Sequence, residues 1–536
     1  MKLQPIYILA SAIMIMAFAS CKKDLLKTNT DPNAVSVDVF DPNNMLTTTQ
    51  LMYTGSSDNA IEVEETEIQG AGCMIQHWAS TSGYFFGDKY IGASTSGGWG
   101  SFFDHAYTYQ VKNVVDLYTT TTGKSQYKNL HQIARIMKAM IFERITDVYG
   151  DVPYFKAGLA YHQSIYFPPY DKQQDIYTDL LKEVSQATDS LDANADKPIG
   201  DLFYSGDVAK WKRFGNTLLL RMAMRLTKVD PTTAQTYVKK VQGLTMASND
   251  DNAIVAHGTN DPLTINRIYR GIGEDGSIQL SGQISQIFIN TLKNSNDPRL
   301  AVLSYIYTPD FAPGDDPSGG SAAPADQIGL PNGYDGGNTI HGIINYHGDA
   351  DNPPYLGNTN LYSRPSPIIF NATAPTLVLT YAESELLLAD AAKRWGSVVD
   401  ATTHYNKGVL AAITMLSAYG DAGTISGGDA QTYLTANPYN DANGLQLINT
   451  QYWIATFFNE YEAWCNWRRT STTANPNGYP ALLPVTYPGS QSPGVIPRRM
   501  FYSTVDKQVN PANYNIAVAR LTGGDKITSR MWWDAP

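Results

Sequence analysis

The strongest pattern of apolar and polar positions runs through residues 135–154, RIMKAMIFERITDVYGDVPY. Together with Ile133, the residues Ile136, Met137, Met140, Ile141, Ile145 and Val148 recur at the three-and-four spacing of one helical face, which predicts an amphipathic helix. Gly150 can take a positive φ just past its last turn and Pro153 cannot continue a helix, so the chain exits at DVYGDVPY. Asp147 and Asp151 at that exit read as structural carboxylates before they read as a catalytic pair. The same periodicity predicts helices at 45–53, 62–78, 101–117, 127–149, 170–191, 207–226 and 380–395. In 451–470 it places Trp453, Phe457, Tyr461 and Trp464 on one helical face.

Three stretches break the pattern. Residues 28–44 hold two Asp-Pro-Asn turns and no long apolar face, as an extended tether would. Residues 82–100 mix aromatics with Gly, Ser and Thr, and residues 310–371 concentrate Gly, Pro, Asn and Asp. The tyrosines Tyr334, Tyr346, Tyr355 and Tyr362 argue that the second of these is an ordered insertion. Rings carried on such loops can present platforms to the apolar C–H face of a sugar, with Asn, Asp and Arg beside them. The candidate ligand-binding residues are therefore Trp99, Tyr84, Tyr334 and Tyr362.

The N-terminus changes the picture. Lys2 precedes an apolar run from Ile6 to Ala19 broken only by Ser11, the length of a signal segment and too short to span a bilayer comfortably. Ala19 and Ser20 then stand before Cys21, the arrangement of a lipoprotein signal whose cysteine becomes the acylated mature N-terminus; Phe18 departs from the usual aliphatic residue. With Cys21 acylated, Cys73 and Cys465 remain, and both are expected as buried free thiols. A net charge of −11 excludes the basic face that nucleic acid requires.

A search for catalytic chemistry finds little. GIGEDG at 271–276 satisfies GxGxxG, but no buried strand precedes it, and no GxSxG, HExxH or P-loop occurs. Glu383 and Glu385, two apart on a predicted helix, point about 200° apart and cannot flank one bond. Glu383 is expected instead as a partly buried carboxylate paired with an arginine, with Arg468 and Arg469 as the candidates. The Asp and Asn cluster at 349–352 has oxygens of the kind calcium takes, but no metal site and no cofactor is assigned.

Several motifs, taken together, resemble the SusD and RagB family of bacterial surface lipoproteins. They are Asp147, Tyr149, Gly150, Asp151, Val152, Pro153 and Tyr154 in the helix exit; Tyr170, Asp171, Gln173, Ile176 and Tyr177; and Trp211, Arg213, Asn216, Leu218 and Arg221. Tyr381, Ala382, Glu383, Leu387 and Ala389 follow, then Trp467 to Thr470 with Asn466 in place of an acid, then Pro497, Arg498, Arg499 and Tyr502, and Trp532 to Asp534 at the end. The resemblance implies a mainly α fold: one large domain of tetratricopeptide-like helix pairs forming a superhelix with long irregular loops, although the period in this chain is loose. It divides the chain into a lipoprotein signal peptide at 1–20, a lipid-anchored tether at 21–44 and the helical domain at 45–536, with the insertion at about 310–371. It implies a non-catalytic lipoprotein of the outer membrane, lipidated at Cys21 and facing the exterior. Such a protein captures a nutrient, in first place an oligosaccharide or polysaccharide, and passes it to a SusC-like TonB-dependent outer-membrane transporter. Capture of peptides by the same architecture, and a surface hydrolase, are the alternatives.

Overall fold

In the computed structural model the described residues are 40–536, apart from 58–59, 84, 93–97, 275–280, 313–314, 316–318 and 397–399. The predicted signal, Cys21, most of the tether and Tyr84 lie outside them.

The helix read from residues 135–154 is the central element. Helix α3 (Lys128–Tyr149) buries Ile133, Ile136, Met137, Met140, Ile141, Ile145 and Val148 completely, so the spacing selected the core face. It packs between α2 (Lys112–Thr121) and α4 (Gln173–Ser190), while α1 (Asn43–Tyr53) crosses both α2 and α3. Helix α4 packs on α5 (Val208–Arg225), and α5 on α6 (Pro231–Val241). After α7 (Gln286–Asn294) and the insertion, α8 (Tyr381–Trp395) packs on α9 (Ala401–Thr414), which meets α10 (Gly427–Ala436). Helix α11 (Gly444–Ala455) lies against α8, and α12 (Glu460–Thr470) and α13 (Pro511–Arg520) follow. Helices that follow one another in the chain pack as neighbours, making the helix pairs that the resemblance leads one to expect.

Local chemistry sets the ends. Asp207 caps α5 by accepting from the Ala209 and Lys210 amides, and Asp230 caps α6, whose first residue is Pro231. Thr380 and Glu383 form a reciprocal capping box on α8, and Gly396 closes it at φ +60°. Gly150 ends α3 at φ +89°.

Two predicted helices are cut short by tertiary contacts. The stretch 62–78 runs as wide π turns over Val63–Gly72 and then leaves the helix, so that Trp78–Ala79 forms a strand, β1, antiparallel to Gln283–Ile284. The stretch 451–470 breaks after α11, with Phe458 at φ +72°. One residue accounts for both. The buried Glu460 carboxylate accepts from the Trp78 indole (3.0 Å) and the Phe458 amide (3.2 Å) and pairs with His77 Nδ1 at 2.5 Å. The bonds to His77 and Trp78 are long-range and the one to Phe458 is local, and together they outweigh helix propensity.

The helices meet over a buried ionic network. Arg221 on α5 bonds Glu143 on α3 (2.6 Å) and lies 3.8 Å from Glu383 on α8 and 3.6 Å from Glu462 on α12. Arg225, one turn on, bonds Asp147 (3.0 Å) and Glu462. Asp147 also accepts from Tyr177 (2.5 Å) and the Trp533 indole (2.8 Å), and Asp151 accepts from the Gln173 amide and Arg520. Both carboxylates of the helix exit are thus committed to structure.

The expected partner of Glu383 requires correction: it is Arg221, with Tyr452 also in reach at 3.2 Å. Arg468 instead donates to the Asp147 and Arg498 carbonyls, and Arg469 pairs with Asp390 at 3.1 Å. Asp390 lies seven residues beyond Glu383 on the same helix face, and only that turn of α8 comes opposite Arg469. Although burial opposes it, Arg394 and Arg469 hold the Asp390 carboxyl well below the ordinary range. Cys73 and Cys465 are buried free thiols, as expected.

Burial pushes the Glu67 carboxyl up to about 7, with Arg144 opposing and Glu460 adding to the rise. An unfolded glutamate titrates near ~4.3, so between the two values the folded chain holds the extra proton. The stability this group contributes is present below the unfolded value and is lost as pH rises through about 7. Glu67→Gln is therefore expected to gain on the wild type as pH is raised from roughly 5 to 8. Urea midpoints at the two pH values measure it, and a constant gap would show that Glu67 does not take up a proton on folding.

Candidate ligand-binding cleft

The irregular insertion is held at its base. The chain leaves the helical body at Ser304–Tyr305 and returns at Arg364–Pro365, which pair antiparallel. Inside, Leu330, Ile343 and Tyr362 make a small core with Ala79, and Tyr334, Tyr346 and Tyr355 pack against it. Among the described residues of the insertion, these tyrosines gather around one small core.

The loop at 331–336 is then fastened to the segment after β1. Buried Asp88 accepts from the Asn332 amide (2.5 Å) and the Gly333 N–H (2.9 Å) and sits 3.3 Å from Lys89 Nζ. Burial raises the Asp88 carboxyl, against Lys89 and those two hydrogen bonds. Asn332 donates also to the Trp78 carbonyl at 2.8 Å, and Gly336 to that of Thr81. Gly333 stands at φ +86°, and a Cβ there would fall 2.5 Å from Val485. From the other side, Gln76 exchanges hydrogen bonds with the Leu483 backbone, and Tyr487 donates to Asp335 at 2.7 Å.

Between these segments lies a cleft of about 370 Å³. Its walls include Tyr334, Tyr346 and His341, the amides of Gln76, Gln286 and Asn332, and the apolar Ile340 and Leu483. Tyr334 and Tyr346 meet edge to face at 5.4 Å. The Tyr346 hydroxyl accepts from Gln286 (2.7 Å) and donates to Asp349 (3.2 Å), which orients its ring. Ile340 is 85% and Leu483 68% exposed, so the rim offers apolar surface to a ligand.

The four sequence candidates separate here. Tyr334 lines the cleft and is half-buried. Tyr362 is buried in the small core beneath it, and Tyr84 lies outside the described residues. Trp99 requires correction as an exposed platform. It is fully buried, stacked on Phe501 at 5.9 Å, with Phe86 at 5.8 Å. The glycines around it allow close approach: a Cβ at Gly92 would come within 2.9 Å of its ring. Gln76, Gln286, His341 and Leu483 were not singled out from sequence, since nothing in the local pattern at any of them marks a side chain that lines a cleft.

The carboxylates weighed from the sequence are committed to contacts within the fold. Glu383 is buried and pushed up to about 7 by burial, with Arg221 opposing. The interior cavity beside it measures about 40 Å³, room for a few waters and no sugar ring. Glu385 pairs with His404 Nδ1 at 2.6 Å. Asp349 spends its oxygens on the Asp351 amide, Asn352 and Tyr346, and among the described residues no grouping of three His, Cys, Asp or Glu could hold a metal ion. Nor is any described helix long and apolar enough to cross a membrane.

The fold and the cleft together define a helix-pair scaffold that carries a loop-walled pocket of rings and amides. The chain belongs to the SusD-like family, whose model, described as starch-binding and associating with the outer membrane, matches residues 32–503. A solved structure described as a chitin-binding protein is 33% identical, covers 92% of this chain and 100% of its own, and superposes with a TM-score of 0.77. A Bacteroidetes SusD-like structure is 23% identical over 93% of this chain and 100% of its own, with a TM-score of 0.76. A chitin-binding SusD homolog from Flavobacterium johnsoniae is 22% identical over 92% of this chain and 98% of its own, with a TM-score of 0.70. The last two show the shared fold alone. No curated protein sequence matches the chain.

Proposed function

We propose that this protein captures an oligosaccharide of the chitin class at the cell surface and passes it, uncleaved, to a SusC-like TonB-dependent transporter of the outer membrane. The observation that carries the reading is the cleft, where the Tyr334 and Tyr346 rings stand beside three side-chain amides. Rings accept the C–H face of a pyranose, and amides bond its hydroxyl and acetamido groups without any shifted acid or base. The chitin-binding structure at 33% identity supports that ligand class. Anchoring follows from acylation of Cys21, with residues 21–44 as the tether; a single modified cysteine and a docked transporter give two attachments.

The test is calorimetric titration of the chain from residue 22 onward with chitin oligosaccharides, malto-oligosaccharides and peptides, each mixture then checked for shortened products. Saturable binding of the chitin series without product is expected. Release of shorter sugars would make the protein a hydrolase, and binding only of peptides would replace the ligand class. In cells, Cys21→Ser is expected to move the protein from the membrane to the soluble fraction.

A further inference from the structure

A second cleft, sharing no residue with the first, opens at the end of α3. It measures about 360 Å³ and is lined by Trp532, Gln174, Lys172, Arg520, Arg530 and Asp151, with the last residues of the chain at its edge. Trp532 is only half-buried, resting near Tyr177 at 6.2 Å. Lys172 is exposed and forms no ion pair among the described residues. The Arg520 and Arg530 side chains remain 31% and 34% exposed.

The charge is unbalanced. Arg520 is set against Asp151 at 2.6 Å. Arg530 leans on Asp534 at 3.2 Å, but that carboxylate is already held by Arg498 and by Lys228. Within a chain of net charge −11, the wall of this cleft therefore holds three cations against one carboxylate. Even with a carboxylate at Pro536 set against them, the cations remain in excess.

We propose that this second cleft binds an acidic oligosaccharide, taking a uronate carboxylate on its cations and a sugar ring against Trp532. An arginine fork suits a carboxylate, lysine adds a mobile charge, and Gln174 supplies donors and an acceptor for hydroxyls. A half-buried indole beside those donors favours a sugar over a peptide carboxylate, which needs no ring face. The proposal is independent of what the first cleft binds.

The experiment titrates the full chain with tetragalacturonate at low and high salt, with cellotetraose and tetraglutamate as comparisons. Saturable binding of tetragalacturonate that weakens as salt rises is expected. Lys172→Glu, at an exposed position, is expected to weaken it about fivefold or more with an unchanged melting temperature. Trp532→Ala is expected to weaken it about tenfold, Trp532→Phe to recover part of that, and Tyr346→Ala in the first cleft to leave it unaltered. Absence of saturable binding, binding indifferent to Lys172→Glu, or equal binding of cellotetraose or tetraglutamate would each overturn the proposal.

Discussion

Arg221→Ala is expected to cost about 3–5 kcal/mol of stability at neutral pH, because it strips the shared cation from carboxylates on three other helices. Glu143, Glu383 and Glu462 are all buried, and Arg221 is the group they have in common. Arg225 remains to serve Glu462 but has no ion pair with Glu143 or Glu383. Burial pushes both Glu143 and Glu383 up to about 7 even with Arg221 opposing, so without it they hold protons to higher pH still. For a carboxylate raised on folding, stability is present below the unfolded value and is lost as pH climbs through the folded one. The deficit of the variant should therefore shrink as pH is lowered from roughly 7.5 to 5.5. Urea denaturation at both pH values measures this. Affinity for a ligand in the first cleft should not change, since none of these residues lines it. A loss below about 1 kcal/mol would remove the network from the list of what holds the helices together.

Tyr346→Ala is expected to weaken oligosaccharide binding at the first cleft by about tenfold, with Tyr334→Ala somewhat less. Tyr346 supplies a ring and also holds Gln286 and Asp349 in place, so its removal frees two further groups at the wall. Because the two rings meet edge to face, the double variant should lose less than the sum of the singles, by about 0.5–1.5 kcal/mol. Calorimetric titration of the four proteins reads both numbers. Trp99→Ala gives the contrasting result: a stacked core indole is deleted, which costs about 3–5 kcal/mol of fold stability and says nothing of the ligand. If either tyrosine variant binds like the wild type while its melting temperature is unchanged, the ligand sits elsewhere.

The error over Trp99 is instructive in physical terms. Glycines such as Gly98 and Gly100 beside it favour loops, and an aromatic among glycines is expected to be exposed. Glycine has a second meaning, since a missing Cβ lets another ring or backbone come close, and Gly92 serves Trp99 in that way. Periodicity can tell a buried face of a helix from an exposed one; it cannot make that distinction for a ring in a loop. Tyr334 and Tyr362 come from the same insertion and the same composition, yet one lines the cleft and the other lies beneath it.

Helix chemistry, by contrast, was legible because it acts over a few residues. The apolar stripe of α3 and the exit at Gly150 are local facts, and both formed as their residues required. The exceptions were the two helices ended by Glu460, which is hundreds of positions from His77 and Trp78 in the first and lies within the stretch itself, two residues from Phe458, in the second. Spacing likewise placed Glu383 on a buried face without saying which arginine it would meet.

From the sequence alone came the helical class, the buried stripe of α3 and the motifs of the family. All follow from contacts within a few turns or from residue types whose backbone preference is fixed. The pairing of Glu383 with Arg221, the break at Phe458 and the cleft itself were decided by tertiary structure. Each joins segments far apart in the chain: Gln76, Tyr334 and Leu483 become one wall only after Asp88 and Gln76 have bound loops whose own sequences carry no record of each other.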